Sequence, residues 1–180
     1  MHHLPKGINF NYAEVEELLN VFEVTTVDEA KRVSGFLLSQ GSFGSRLTPG
    51  EAEMARNHPL VSLQEEKSRY WYVENEVGEI IGVNGVKEDE HKNSGYTGAF
   101  LAVSRKYRKK GIARRLFDIM LDFIREKKGR YLLIDTSDRE EYETIRLFLQ
   151  SRGFLQVGYF PDHYYQGEGT YWYYKKMNDN

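Results

Sequence analysis

The sequence predicts an α/β domain of mixed type, with a central, mostly antiparallel sheet of about seven strands flanked by helices. Three observations lead there. Three strand-like segments follow one another between residues 69 and 103, joined by short polar connections. One apolar stripe of helical period then occupies residues 112–123. The remaining segments complete the order strand, two helices, three strands, helix, strand, helix, two strands.

In chain order, "VFEVTTV" (21–27) reads as the first strand and Asp28 to Ser39 as a helix. A connecting stretch over 41–50 leads into a helix near Glu51 to Asn57, with Pro49 suited to its start. "RYWYVE" (69–74) and "EIIGVNGV" (79–86) flank the turn-like "NEVG", and "YTGAFLAV" (96–103) follows the polar hairpin loop that contains "EDEH" (88–91). Ile112, Leu116, Ile119, Met120 and Phe123 make one helical stripe, closed by Lys127, Lys128 and Gly129. "YLLIDT" (131–136) is a short buried strand. "SDRE" (137–140) has the spacing of a capping box and opens a helix that stops at Gly153. "FLQVGYF" (154–160) and "TYWYYKK" (170–176) form a closing hairpin around the loop "PDHYYQGEG".

At 180 residues the chain fits one domain over 21–177, with an N-terminal arm over 1–20 and a tail over 178–180. "NYAEVEELLN" in the arm has the pattern of a short amphipathic helix. No apolar run approaches the roughly 18 residues needed to span a bilayer. "MHHLPKGINF" lacks the apolar stretch of a signal peptide. Without cysteine, disulfide and thiolate chemistry are excluded. No group of residues has metal-ligand spacing, and His2 and His3 are too few to hold an ion. Together these features favour a cytoplasmic protein, monomeric or homodimeric, with no membrane partner.

Charge divides the chain. Residues 1–100 hold 9 Lys/Arg and 16 Asp/Glu, whereas residues 101–180 hold 16 and 11. An acidic half beside a basic half points to an anionic partner and a cationic one, although a chance imbalance on a solvated surface fits too. The basic charge peaks between Arg105 and Arg115, where seven of eleven residues are Lys or Arg. That segment joins a strand to a helix, whose first turn has unpaired N–H groups and a partial positive dipole. Gly111 lets an anion approach the backbone, Ala113 is nearly as small, and Arg108, Lys109 and Lys110 add full charges. The combination is a pyrophosphate cradle.

Other phosphate devices fit poorly. A P-loop ends in Gly-Lys-Ser/Thr, whereas Gly111 is followed by Ile112 and Ala113. A dinucleotide fold needs three spaced glycines after its first strand. A nucleic-acid patch is the rival reading. Against it, the segment is one turn long and the exposed positions of the following helix alternate in charge, so no nucleic-acid partner is expected.

The segment "LAVSRKYRKKGIARRL" resembles motif A of the GNAT family of N-acetyltransferases, the match being Arg108-Lys109-Lys110-Gly111-Ile112-Ala113. "IRLFLQSRGF" (145–154) is similar to that family's later helix-to-strand junction, and the element order resembles its acyl-CoA N-acyltransferase fold. The resemblance spans about residues 22 to 177. It implies transfer of an acetyl group from acetyl-CoA, as co-substrate and without a metal, to a primary amine, most simply on a small molecule. It further implies that the backbone of residues 108 to 113 holds the CoA pyrophosphate. It assigns to Leu101, Ala102 and Val103, on a strand that splays from its neighbour, the pairing with pantetheine and the polarisation of the thioester carbonyl.

The family's usual acid and base are missing. Its base positions fall on Thr97 and Ala99, and its acid tyrosine on Leu149. Tyr164 and His163, in the loop that borders the acceptor site in this fold, are the replacement candidates. A solvated His163 and a merely packed Tyr164 fit the sequence as well, and His58 beside Pro59 reads as a loop surface residue. Glu51 and Glu53 lie where relatives cover the acceptor, so a cationic amine is expected there, or else a plain acidic helix face. The alternative to an enzyme is a catalytically weak CoA-binding sensor or structural module of the same fold.

Overall fold

The computed structural model describes residues 20–43 and 46–177. The expected helix in the N-terminal arm and the tail over 178–180 lie outside the described residues. Seven strands form one sheet: β1 (Val21–Glu23), β2 (Arg69–Glu74), β3 (Ile80–Glu88), β4 (Gly95–Val103), β5 (Tyr131–Ser137), β6 (Leu155–Tyr165) and β7 (Glu168–Lys176). Their spatial order is β1-β2-β3-β4-β5-β7-β6, and every pairing is antiparallel except β4 with β5. The four α-helices are α1 (Val27–Leu37), α2 (Pro49–Val61), α3 (Ile112–Glu126) and α4 (Glu143–Ser151).

Local chemistry starts the first two helices. Thr26 caps α1 and Thr48 caps α2, each in a reciprocal box with the glutamate three residues on, Glu29 and Glu51. Thr25 and Thr26 therefore lead into a helix, and β1 is shorter than the seven-residue strand expected. Pro49 occupies the first turn of α2, where its missing N–H leaves no bond unmade. The helix runs through Pro59 to Val61, which corrects the reading of His58 as a loop residue. His58 sits on α2, half-buried, with Nδ1 2.9 Å from the Tyr70 hydroxyl.

Ser137 is not a cap. It is the last residue of β5, pairs with Thr170, and donates its hydroxyl to Glu168 at 2.7 Å. No side chain caps α4, whose first residue is Glu143, after a 3-10 turn over Glu140–Tyr142. The helix ends as expected, with Gly153 at φ +80° and the Phe154 amide bonded back to the Leu149 carbonyl.

The core has two parts, one on each face of the sheet. On one face α3 and α4 cover Trp71, Val73, Tyr96, Leu132 and Tyr173. On the other, α1 and α2 cover Tyr70, Tyr72, Val83, Phe100 and Ala102. Leu149 is fully buried in the first part.

Candidate active site

The sheet opens in the middle. β4 and β5 pair only through Gly95, Tyr96 and Thr97 with Tyr131, Leu132 and Leu133. Directly beyond, β4 carries a bulge: Asn84 faces Leu101 and Val86 faces Gly98, so Gly85 alone opposes Ala99 and Phe100. An extra residue bends a strand and raises its local twist, which turns β4 away from its parallel neighbour. The notch so formed has the rest of β4 as one lip and β5 from Ile134 onward as the other.

Backbone direction on the β4 lip follows from one bond. The Ser104 amide donates to Ile81 of β3 at 2.8 Å. Alternation along the strand then turns the Ala102 backbone toward β3, and the N–H and C=O of Leu101 and Val103 toward the notch. The Val103 carbonyl there accepts from Arg108 Nε at 3.2 Å, which ties the basic turn to the lip.

That turn runs through a 3-10 segment, Arg105–Tyr107, into α3. Arg108, Lys109 and Lys110 are all exposed. Lys110 Nζ lies 5.1 Å from the centre of the Tyr107 ring. Gly111 stands at the N-cap with φ +81°, in the left-handed region where a side chain costs about 1–2 kcal/mol. It offers no side chain to the first turn, so among the described residues the amides of Ile112 and Ala113 have neither an intrahelical carbonyl nor a capping oxygen. The helix start is held close to the sheet: Ile112 is buried, and a Cβ on Gly82 of β3 would lie 2.6 Å from its Cγ2. Bare amides, a partial positive dipole and three exposed cations suit a phosphate-bearing ligand.

The second cluster lies on the other lip and on the α1/α2 face. The hairpin loop expected over 161–169 is mostly strand. Phe160 pairs with Thr170 and Tyr165 with Glu168, so residues 161–164 arch out opposite Gly169 alone, with Asp162 at φ +53°. The arch carries Tyr164 back across β7, where its hydroxyl donates to Asp135 Oδ2 on β5 at 2.6 Å. Thr170, fully buried, lies 3.5 Å from the same phenol oxygen and donates to the Thr136 carbonyl. Burial first, and then the Asp135 carboxylate, push the Tyr164 phenol well above the ordinary tyrosine range, with a smaller contribution from Glu51 of α2.

Among the described residues, the remaining candidates make no hydrogen bond to this pair. His163 is exposed, its ring edge-on to that of Tyr164 at 5.0 Å. Thr97 Oγ1 is buried without a partner among the described residues, as is Trp172 Nε1, whose residue is the register partner of Asp135. Ala99 packs on the α1/α2 core. Glu51 uses Oε2 to accept the Thr48 amide at 2.8 Å, so that oxygen belongs to the helix cap. Asp135 itself escaped the sequence reading. Its one signal was an acid inside the apolar run "YLLIDT", where an unpaired charge is costly.

The acetyltransferase (GNAT) family model matches residues 39–154, and the chain belongs to that family. No protein of curated function matches the sequence. Solved structures share the fold at low identity. A protein from Desulfovibrio desulfuricans assigned to the GNAT acetyltransferases superposes with a TM-score of 0.75 at 19% identity, over 89% of this chain and 99% of that one. An aminoglycoside 6'-N-acetyltransferase complexed with coenzyme A gives 0.68 at 14%, over 91% and 98%. The ribosomal-protein-S18-alanine N-acetyltransferase of Escherichia coli gives 0.68 at 14%, over 91% and 96%. Among the described residues no helix is long and apolar enough to cross a membrane.

Proposed function

We propose that the chain is an acetyl-CoA-dependent N-acetyltransferase whose acceptor is a primary amine on a small molecule. The observation that carries the reading is the meeting of two features at one end of β4: a notch between parallel strands and an uncapped, cationic helix start. Acetyl-CoA supplies an activated acyl carbon. The amides of Ile112 and Ala113, with Arg108, Lys109 and Lys110 around them, would hold its diphosphate. The edge of β4 at Leu101 and Val103 would orient the pantetheine arm and direct an N–H at the thioester oxygen. One such donor is worth about 3–4 kcal/mol where charge develops in a transition state. Relatives of this fold named for aminoglycoside acetylation support a small-molecule acceptor.

One observation favours the second reading, a module that binds CoA with little turnover: the family's acid position holds Leu149, fully buried, and its base positions hold Thr97 and Ala99. Two measurements separate the readings. Calorimetric titration with CoA should show one site, and Gly111→Glu, which sets a carboxylate and a strained φ at the cradle, should abolish that site while leaving the far-ultraviolet circular dichroism unchanged. Thiol release against a panel of amines should then accompany binding. Binding with no release for any amine selects the module, and full affinity in the variant refutes the cradle.

A further inference from the structure

The family's base is absent from β4, yet a carboxylate stands on the other side of the notch. The last parallel pair is Thr97 with Leu133, so Asp135 is two residues beyond it on β5, as Ala99 is on β4. Leu132 and Ile134 belong to the α3/α4 side of the core. Alternation therefore puts Asp135 on the opposite face, the face that α1 and α2 flank and from which Tyr164 reaches it. The two lips present complementary equipment: backbone amides on β4, a carboxylate on β5.

Asp135 is also held. Oδ2 accepts the short bond from Tyr164, whereas no described residue donates to Oδ1. The Tyr164 proton is directed at a carboxylate, so that phenol is a poor donor to a departing thiolate and a good clamp for Asp135. Thr170, bonded to the β5 backbone and near the phenol oxygen, fixes the clamp in turn. Among the described residues, Glu51 of α2 adds negative potential at the phenol, and the exposed, titratable His163 stands beside the Tyr164 ring. A lone, oriented carboxylate with one free oxygen at the end of a notch suits an alkylammonium group.

On the acetyl-transfer reading above, we propose that Asp135 is the catalytic base, receiving the acceptor's ammonium group on Oδ1 and taking its first proton, with Tyr164 and Thr170 as positioning residues. The neutral nitrogen then bonds to the thioester carbonyl carbon and the carbon–sulfur bond breaks. The nitrogen's second proton passes to sulfur, and the proton on Asp135 leaves to water. The products are the N-acetyl amine and the free thiol, so atoms and charge balance without a tyrosine acid. The acceptor class is narrowed to amines that are cationic in solution.

The test uses spermidine, kanamycin A and alaninamide as acceptors, with thiol release and calorimetry read on wild type, Asp135→Asn, Asp135→Glu and Tyr164→Phe. Asp135→Asn should keep CoA affinity and lower kcat/KM for every accepted amine by about 100-fold or more. Its residual rate should follow the free-amine fraction, rising about tenfold per pH unit up to the acceptor's own pKa, about 10.4 for a simple alkylamine and about 8 for an α-amine, whereas the wild-type profile stays flatter. Asp135→Glu should recover part of the loss. Tyr164→Phe should lower kcat less than Asp135→Asn does, at unchanged CoA affinity, and wild-type kinetics there would remove the positioning role. Wild-type kcat/KM and pH profile in Asp135→Asn would overturn the proposal alone, as would a wild type that binds CoA but acetylates none of the three amines. A wild type that fails to bind CoA would overturn the acetyl-transfer reading with it.

Discussion

Glu29 takes the Thr25 and Thr26 amides on one carboxylate oxygen, each at 2.9 Å, and the Tyr72 hydroxyl on the other at 3.0 Å. The Thr25 amide, ahead of the other donors and against some desolvation, lowers its pKa from 4.5 to about 2. A carboxyl held below its unfolded value stabilises the fold fully above that value and loses the contribution as pH falls through the folded one. Glu29→Gln should therefore flatten the acid limb of stability between 4.5 and about 2, seen as urea midpoints that no longer slide across that window. Thr26→Ala removes the other half of the box and should cost about 1 kcal/mol at neutral pH. The spacing of Ser137 and Glu140 matches that of Thr26 and Glu29, yet only the latter caps. Ser137 is still paired to β7, and a strand bond outcompetes a local pattern that a sequence reader sees in isolation. Asp135 was unreadable as a site for a related reason: its partner Tyr164 lies 29 residues away and arrives only through an arch in β6.

Most elements were legible because their signals are local. β2 matches its expected bounds at Arg69 and Glu74, and α3 appears where the apolar stripe predicted it. What escaped was the interior of β6, since a turn-rich stretch such as "PDHYYQGEG" reads as a loop whether or not its ends continue a ladder. A Cβ at Gly82 would sit 2.6 Å from Ile112 Cγ2, a methyl on a β-branched and buried side chain with little room to move. Gly82→Ala should cost about 1–3 kcal/mol by overpacking and tilt the first turn of α3, lowering both the melting temperature and CoA affinity. Gly35→Ala, on the exposed side of α1 with nothing within 4 Å, should instead gain about 0.5–1 kcal/mol and leave CoA binding alone. Equal effects from both would mean that Gly82 does not set the helix position.

For the whole molecule, the divide in charge coincides with the divide in the sheet. The acidic first hundred residues supply β1 to β3, most of β4 and the helices α1 and α2, while the basic remainder supplies α3, α4 and the strands beyond the notch. Element order was legible from periodicity, whereas the divergence of β4 from its neighbour was expected only through the family resemblance. It depends on a parallel pairing that stops after three residues and on a bulge against β3, neither of which leaves a local trace. Arg108, Lys109 and Lys110 are exposed around the start of α3. Exposed charges act over a Debye length of about 10 Å at 0.1 M salt and about 3 Å at 1 M, whereas amide hydrogen bonds are little affected. CoA affinity should therefore weaken steadily as salt rises, mostly through a slower on-rate. Replacing Arg108 and Lys110 together by Ala should weaken binding at low salt, flatten the slope, and converge on wild type at 1 M, about where screening is complete. Arg125→Gln, in the last turn of α3 and paired with Asp122, should leave the slope as it is. Parallel salt curves for wild type and the double variant would assign the binding to the amides alone and leave the cations to solubility.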